Sequence, residues 1–184
     1  QEKLHGSYGR NRRKMAIGLH DADKLPSLDL IYRYVDVDET TMIPLHSSKR
    51  MSIRDVLRET EQGRLYGSIS IEGSKHPAII SGGEVISLPP VINSEITRIE
   101  VGTKNVLVDV TGTNYELVKN TLNWIVHALS FYGGRVFGAR IIRSDGVEEV
   151  TPDYRWRNVS VDIDFISAWL GIDVNVIQSS IDKA

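Results

Sequence analysis

The chain has 184 residues, with 22 Lys and Arg against 24 Asp and Glu, and it contains no cysteine. This length, with ordinary hydrophobic and charged fractions of 41% and 25%, excludes a disordered, collagen-like or coiled-coil chain. The lack of cysteine excludes a disulfide framework, a thiolate nucleophile and a cysteine-ligated metal. No apolar run reaches the roughly 20 residues that span a bilayer, so we expect a cytoplasmic protein without membrane contact. The start at Gln1 rather than Met suggests a piece of a longer chain.

The net charge of −2 averages two segments of opposite charge. Residues 1–14 are basic with one acidic side chain, Glu2, whereas residues 21–39 are rich in Asp. A basic cluster raises the local concentration of a polyanion such as RNA, and a solvated helix face is an equal alternative. The candidate RNA-binding side chains of this cluster are Lys3, Arg10, Arg12, Arg13 and Lys14.

The first third of the chain predicts a weak helix, two strands and a capped helix. Residues 1–13 hold few helix breakers, and residues 15–19 and 28–35 have the apolar patterns of strands. Ser52 is placed to cap a helix that Gly63 would end.

The middle of the chain predicts a hairpin. Residues 78–81 and 84–88 are apolar runs separated only by Gly82-Gly83, which is a strong two-residue turn signal. Pro89-Pro90 cannot continue a central strand, so the hairpin should end at Leu88.

Residues 105–111 form the most β-branched run and predict a strand with Asp109 and Thr111 on one face. Asn114 or the residue before it can cap the longest helix, in which apolar residues recur at helical spacing as far as Tyr132. Two more strands are predicted at residues 135–142 and 147–150.

Thr151-Pro152-Asp153 is typical of a domain boundary. Beyond it, residues 157–163 predict a strand and residues 164–170 a helix that ends at Gly171. We therefore predict an α+β fold, a mixed β-sheet with packed helices, in residues 1–150, and the incomplete opening of a following domain in residues 151–184.

Motif searching finds no nucleotide-binding loop, nucleophile elbow or zinc-protease motif. His127 on the long helix is more typical of a structural histidine than of a ligand. His20 with Asp21 and Asp23 could imitate a metal cluster, but an acidic turn is favoured, and no metal site is predicted. Asp109 is the most unusual residue, since a carboxylate inside such a strand is costly to bury unless it is paired. An exposed sheet face or an edge strand is the alternative.

Several long, irregular segments closely resemble the β-subunit family of phenylalanyl-tRNA synthetases, in its archaeal and eukaryotic cytosolic form. The closest segments are SLPPVINS at residues 87–94 and TKNVLVDVTGT at residues 103–113. Further matching segments occur in the family's order along the chain, at residues 1–5, 16–21, 51–57 and 151–171.

The resemblance implies an editing module that hydrolyses tyrosine from mischarged tRNA(Phe). It further implies that the whole enzyme is an ATP- and magnesium-dependent ligase of two α and two β chains. ATP and magnesium would bind outside these residues, and the implied partners are tRNA(Phe) and the α subunit, with no DNA. A non-catalytic RNA-binding or scaffolding domain of the same fold is the rival hypothesis.

The resemblance also implies a positioned water rather than a covalent intermediate. Ester hydrolysis needs a group that orients the water and donors for the developing oxyanion. The catalytic candidates, carried over from the family, are Asp109 and Thr111. Asp109 would accept a hydrogen bond from either the tyrosine hydroxyl or the amino acid ammonium. The substrate-binding candidates are Ser87, Leu88, Asn93, Ser94 and Thr113.

Overall fold

The structure, a computed structural model, describes residues 1–153 and 158–183, and the chain divides into two compact units, Gln1–Asp153 and Tyr154–Ala184. The first unit holds all the strands of the described residues: β1 Met15–Asp21, β2 Leu30–Asp36, β3 Thr41–Met42, β4 Met51–Ser52, β5 Lys75–Ser81, β6 Glu84–Leu88, β7 Ile92–Asn93, β8 Val106–Gly112, β9 Ala139–Ile142 and β10 Glu148–Thr151. The helices of the first unit are α1 Glu2–Gly6, α2 Ile53–Glu59, α3 Glu61–Tyr66 and α4 Tyr115–Phe131, and those of the second are α5 Ile163–Leu170 and α6 Val174–Ile181.

The strands form one sheet of four strands, in the order β2-β5-β6-β7, and three two-stranded ribbons, β1-β8, β3-β4 and β9-β10. Every pairing among the described strands is antiparallel. Helix α4 packs on β8. The predicted α+β class with helices packed on sheets is confirmed.

The β5-β6 hairpin is confirmed, with positive φ at both turn glycines and β6 ending at Leu88 before the prolines. Its register shifts at Ile79, which pairs with Ser87, while Ile80 pairs with Val85. This bulge inserts one extra residue into β6. Val85 and Leu88 can therefore both join the core while Ser87 lies on the opposite face.

The main hydrophobic core joins the four-stranded sheet to the short ribbon β3-β4 and helix α2. Side chains from all of these elements are buried in a single cluster, which excludes water from one face of the sheet. Its buried members are Val35, Val37, Met42, Ile53, Val56, Ala78, Ile80, Val85, Leu88 and Val91.

Ser52 caps α2 as predicted, accepting a hydrogen bond from the Asp55 N–H at 3.1 Å. The predicted end at Gly63 is wrong, because α2 stops at Thr60, whose hydroxyl then accepts from the Gly63 N–H at 2.9 Å and caps α3. Gly63 lies inside α3, where a Cβ would stand 2.3 Å from the carbonyl oxygen of Val56. Gly63 thus allows the backbones of α2 and α3 to approach each other closely, and it does not end a helix.

The N-terminal helix is shorter than predicted. It covers only Glu2–Gly6, because the backbone then turns through left-handed conformations at Arg10, Asn11 and Arg12. The strand predicted over residues 135–142 begins only at Ala139, where the four residues of β10 provide a partner. The Asn114 cap of α4 is confirmed, with its side chain accepting from the Leu117 N–H at 2.9 Å.

In the second unit, α5 ends at Gly171 in the left-handed conformation, as predicted. The strand predicted over residues 157–163 is not formed at residues 158–162, and Arg157 lies outside the described residues. Asp162 instead caps α5, accepting from the Asp164 N–H at 2.8 Å. Within the described ranges no helix is both long and apolar enough to cross a membrane.

Candidate active site

A cavity of about 420 Å³ lies between the β1-β8 ribbon and the segment that follows β6. Residues of β1 and β8 face each other in antiparallel register, so that Asp109 stands opposite Gly18, and Thr111 stands opposite Ala16. All four of these residues line the cavity.

Most of the predicted site residues meet at this cavity. The predicted residues that line it are Ser87, Leu88, Asn93, Ser94, Asp109, Thr111 and Arg12. Thr113 does not line the cavity. It is exposed, and its N–H donates to the carbonyl oxygen of Lys14 at 3.1 Å. The structure therefore brings together residues from three separate segments of the chain, at residue 12, residues 87–94 and residues 109–111.

The wall opposite β8 is held by its own hydrogen bonds. The Ser87 hydroxyl donates to Asn93 Oδ1 at 2.9 Å, and Asn93 Nδ2 donates to the carbonyl oxygen of Leu19 at 3.3 Å. The Ser94 hydroxyl donates to the carbonyl oxygen of Ile43 at 2.9 Å. Asn93 thus ties the four-stranded sheet to β1, and these polar groups fix the shape of the wall.

Asp109 is paired with a buried histidine that the sequence analysis did not select for the site. His20 Nε2 lies 3.0 Å from Asp109 Oδ2, and His20 Nδ1 lies 2.7 Å from the Thr97 hydroxyl. The imidazole is fully buried, whereas the Asp109 side chain is 15% exposed. A period-two strand pattern places His20 and Gly18 on the same face of β1, but only the antiparallel register with β8 brings that face to Asp109.

Gly18 provides the space that the carboxylate occupies. A Cβ at this position would lie 1.8 Å from Asp109 Oδ2 and 2.7 Å from its Cγ. No side chain fits there, so the Asp109 carboxylate is held directly against the backbone of β1.

Arg12 lines the cavity, and its guanidinium forms hydrogen bonds with other groups of the protein. Its guanidinium donates to the carbonyl oxygens of Pro90 at 3.1 Å and Val91 at 3.0 Å, and it lies 4.4 Å from the centre of the Tyr66 ring. A third hydrogen bond joins it to Glu2. These contacts hold the left-handed turn, whose non-glycine residues each cost about 1–3 kcal/mol. They also argue against Arg12 as a ligand for tRNA phosphate.

The other four basic residues of the N-terminal segment are exposed, and no described acidic side chain forms an ion pair with them. They are Lys3, Arg10, Arg13 and Lys14. Their charges are therefore available to a polyanion in solvent.

Side chains of the N-terminal segment also cover the outer edge of β1. The Ile17 N–H donates to His5 Nε2 at 2.8 Å, and the Gln1 amide donates to the Ile17 carbonyl oxygen. Burial, and next the Arg12 charge, lower the pKa of His5. Both effects keep the imidazole neutral, which its role as a hydrogen-bond acceptor requires.

Tyr32 stands at the end of a cross-strand row with Ile79, Ser87 and Asn93. Its ring is 61% exposed. Desolvation raises the pKa of the Tyr32 phenol, and the charges of Tyr34 and Asp109 raise it further. Tyr32 is therefore an exposed aromatic group within electrostatic reach of Asp109.

The acidic turn after β1 is structural. Asp21 Oδ1 accepts from the Asp23 N–H at 3.1 Å, and Oδ2 accepts from the Thr103 hydroxyl at 2.8 Å. No group of three His, Asp or Glu side chains in the described part of the chain could hold a metal ion. The described residues thus offer no cluster that fits a resident magnesium ion.

An α+β unit with a polar cavity and exposed basic side chains near its N-terminus is typical of the class of proteins that bind a polyanion. Comparison with known proteins narrows this to a family, although no family model matches the chain. The phenylalanine–tRNA ligase β subunits of Sulfolobus acidocaldarius and Aeropyrum pernix are each 44% identical to it, over 96% and 98% of this chain. The chain belongs to this β-subunit family, and the resemblance seen in the sequence is confirmed.

The chain spans about a third of the length of these relatives, 32% and 33% respectively. A crystal structure of an N-terminal fragment of the phenylalanyl-tRNA synthetase β subunit from Pyrococcus horikoshii is similar, with a TM-score of 0.85 at 36% identity. That match covers 94% of this chain and 50% of the other.

Proposed function

We propose that Gln1–Asp153 is an editing hydrolase that removes tyrosine from mischarged tRNA(Phe). The observation that supports this most strongly is the cavity that joins Asp109 and Thr111 to the wall built from Ser87 and Asn93. The two pairs come from different segments of the chain, and the family resemblance independently implies Asp109 and Thr111 as site residues.

The chemistry is the hydrolysis of an ester by water. Water adds to the carbonyl carbon, the bond from that carbon to the ribose oxygen breaks, and a proton from the water ends on the ribose hydroxyl. An ionised carboxylate only accepts hydrogen bonds. With Oδ2 engaged by His20, Asp109 has Oδ1 to orient a donor, which can be the attacking water or a donor on the amino acid. The Thr111 hydroxyl, two residues away on the same strand face, can donate to the substrate.

A second site is needed because a pocket built for phenylalanine cannot strongly reject an added hydroxyl. A polar cavity that hydrogen-bonds the phenol can favour tyrosine. Within this proposal the complete protein is part of a phenylalanine–tRNA ligase in the cytoplasm, with an α-subunit partner in a tetramer of two α and two β chains. Its ATP- and magnesium-dependent step takes place outside this chain.

Release of tyrosine from tyrosyl-tRNA(Phe) and of phenylalanine from phenylalanyl-tRNA(Phe) tests the proposal. We expect selective release of tyrosine and its loss in Asp109→Ala. Asp29→Ala is the matched control, because Asp29 is an exposed carboxylate outside the cavity. Equal release of both amino acids, or full activity of Asp109→Ala, would contradict the proposal.

The rival function, RNA binding without catalysis, is favoured by the four exposed basic side chains that have no described acidic partner. The same experiment separates the two functions. Binding of both charged tRNAs without release of either amino acid would support the rival.

A further inference from the structure

We propose that His20 is a positioning residue that holds Asp109 Oδ2 and thereby presents Oδ1 to the cavity. The inference rests on the proposed function of this cavity and adds the group that orients its carboxylate. Neither the sequence motifs nor the family resemblance assigned a role to His20.

The hydrogen-bond chain has a single consistent direction when the imidazole is neutral and Asp109 is ionised. The carboxylate can only accept, so His20 Nε2 carries the hydrogen and donates to Oδ2 across 3.0 Å. Nδ1 then has a lone pair and accepts from the Thr97 hydroxyl across 2.7 Å. The hydrogen bond from Nε2 to Asp109 thus fixes the tautomer of the ring and leaves Nδ1 as an acceptor.

Thr97 is itself held in place. It is 1% exposed and ends a 3₁₀ helix, Glu95–Thr97, that Ser94 caps by accepting from the Ile96 N–H at 3.4 Å. The chain of contacts therefore runs from the cavity wall at Ser94 through Thr97 and His20 to Asp109. A carboxylate supported in this way keeps one rotamer.

His20 has no exposed surface, so it cannot contact a substrate. Asp109 is the partly exposed member of the pair and lines the cavity. The roles are thus the reverse of those in a hydrolase where a buried carboxylate orients a catalytic histidine. The same carboxylate oxygen lies close to the backbone of Gly18, where a Cβ would stand 1.8 Å from Oδ2, so only glycine leaves room for this arrangement.

Two substitutions at residue 20 separate the hydrogen bond from simple packing. In His20→Gln the amide nitrogen can take the position of Nε2 and donate to Asp109. In His20→Asn the shorter amide reaches the position of Nδ1, next to Thr97, and cannot reach Asp109. Both replace a buried ring by a smaller amide, so each is the matched control of the other.

The experiment measures deacylation of tyrosyl-tRNA(Phe) over a range of substrate concentrations, with folding of each variant checked by circular dichroism. Misplacement of a catalytic group by about 1 Å costs on the order of 100-fold in rate. We expect kcat of His20→Asn to fall by about 10- to 100-fold with KM nearly unchanged, and His20→Gln to recover most of this loss. Equal kcat values for the two folded variants, whether high or low, would overturn the proposal.

A second measurement does not depend on activity. The ¹⁵N chemical shifts of His20 show which ring nitrogen carries hydrogen, and we expect Nε2 to be protonated. An unprotonated Nε2 would overturn the proposal. If the unmodified protein releases no tyrosine, the proposed function fails, and the nitrogen shifts still decide whether His20 donates to Asp109.

Discussion

A methyl group added at Gly18 would occupy the space of the Asp109 carboxylate. In Gly18→Ala the new Cβ would lie 1.8 Å from Oδ2, so the carboxylate must move away from β1. This movement breaks its bond to His20, which is fully buried and has no water to replace the lost acceptor.

The expected cost follows from three contributions. A lost hydrogen bond to a charged group costs about 1.5–3 kcal/mol. Overpacking of a tight site adds about 1–3 kcal/mol. Replacing glycine by alanine lowers the conformational entropy of the unfolded chain, which stabilises the folded protein by about 0.4–1 kcal/mol. The free energy of unfolding should therefore fall by about 1.5–5.6 kcal/mol.

Urea denaturation followed by circular dichroism measures this loss, and a double-mutant cycle assigns its cause. Removing the carboxylate in Asp109→Ala also removes the clash. The double variant with Gly18→Ala should then be about as stable as Asp109→Ala alone, so the coupling should be about as large as the cost of Gly18→Ala by itself. Gly6→Ala is the control, because its Cβ would meet nothing closer than 3.9 Å. It should be neutral or slightly stabilising.

Two results would refute this reasoning. One is a Gly18→Ala variant as stable as the unmodified protein, which would mean that the carboxylate has another place to go. The other is strict additivity in the cycle, which would mean that the cost arises elsewhere in β1.

Three further predictions concern pH, charge and capping. His5 and His76 are buried with pKa values lowered first by desolvation. As the pH falls, these two histidines therefore become protonated in the unfolded chain at a higher pH than in the folded protein. The contribution of these two histidines to the free energy of unfolding should be constant well above pH 6.5, the ordinary pKa of histidine, and decrease below it by up to about 1.4 kcal/mol per pH unit for each histidine. Denaturation midpoints between pH 7.5 and 5 measure this, and an unchanged pH dependence after replacing both by Gln would contradict it. Arg13→Glu should weaken tRNA binding and flatten its salt dependence without unfolding the protein. Arg12→Glu should mainly lower the melting temperature. Equal salt slopes for Arg13→Glu and the unmodified protein would rule out a phosphate contact of Arg13. Ser52→Ala should destabilise the first unit by about 1 kcal/mol, and an unchanged urea midpoint would show that the cap is dispensable.

Local signals in the sequence predicted several elements well. The Gly82-Gly83 turn, the caps at Ser52 and Asn114 and the end of α5 at Gly171 depend on a few neighbouring residues and were confirmed. Gly63 does not end its helix, because a glycine that allows close approach of helices resembles a terminator in the sequence. The strand predicted over residues 157–163 is not formed at residues 158–162. An alternating pattern there resembles a strand, although none of the described strands pairs with it.

In the candidate site, too, some features follow from local sequence and others depend on how distant strands pair. The sequence alone determined that Asp109 and Thr111 share a strand face, since the period of a strand is two residues. Its irregular motifs placed the chain in its family. It could not show that His20 contacts Asp109, because that contact depends on the antiparallel register of β1 and β8.

Tertiary structure also decided which charges are available. The five basic residues near the N-terminus look alike in the sequence, yet the left-handed turn directs Arg12 onto the carbonyl oxygens of Pro90 and Val91. Likewise, the bulge in β6 sets Ser87 on the cavity side while Val85 joins the core. Composition and spacing determined the kinds of groups present, whereas packing between distant segments determined which of them face the cavity.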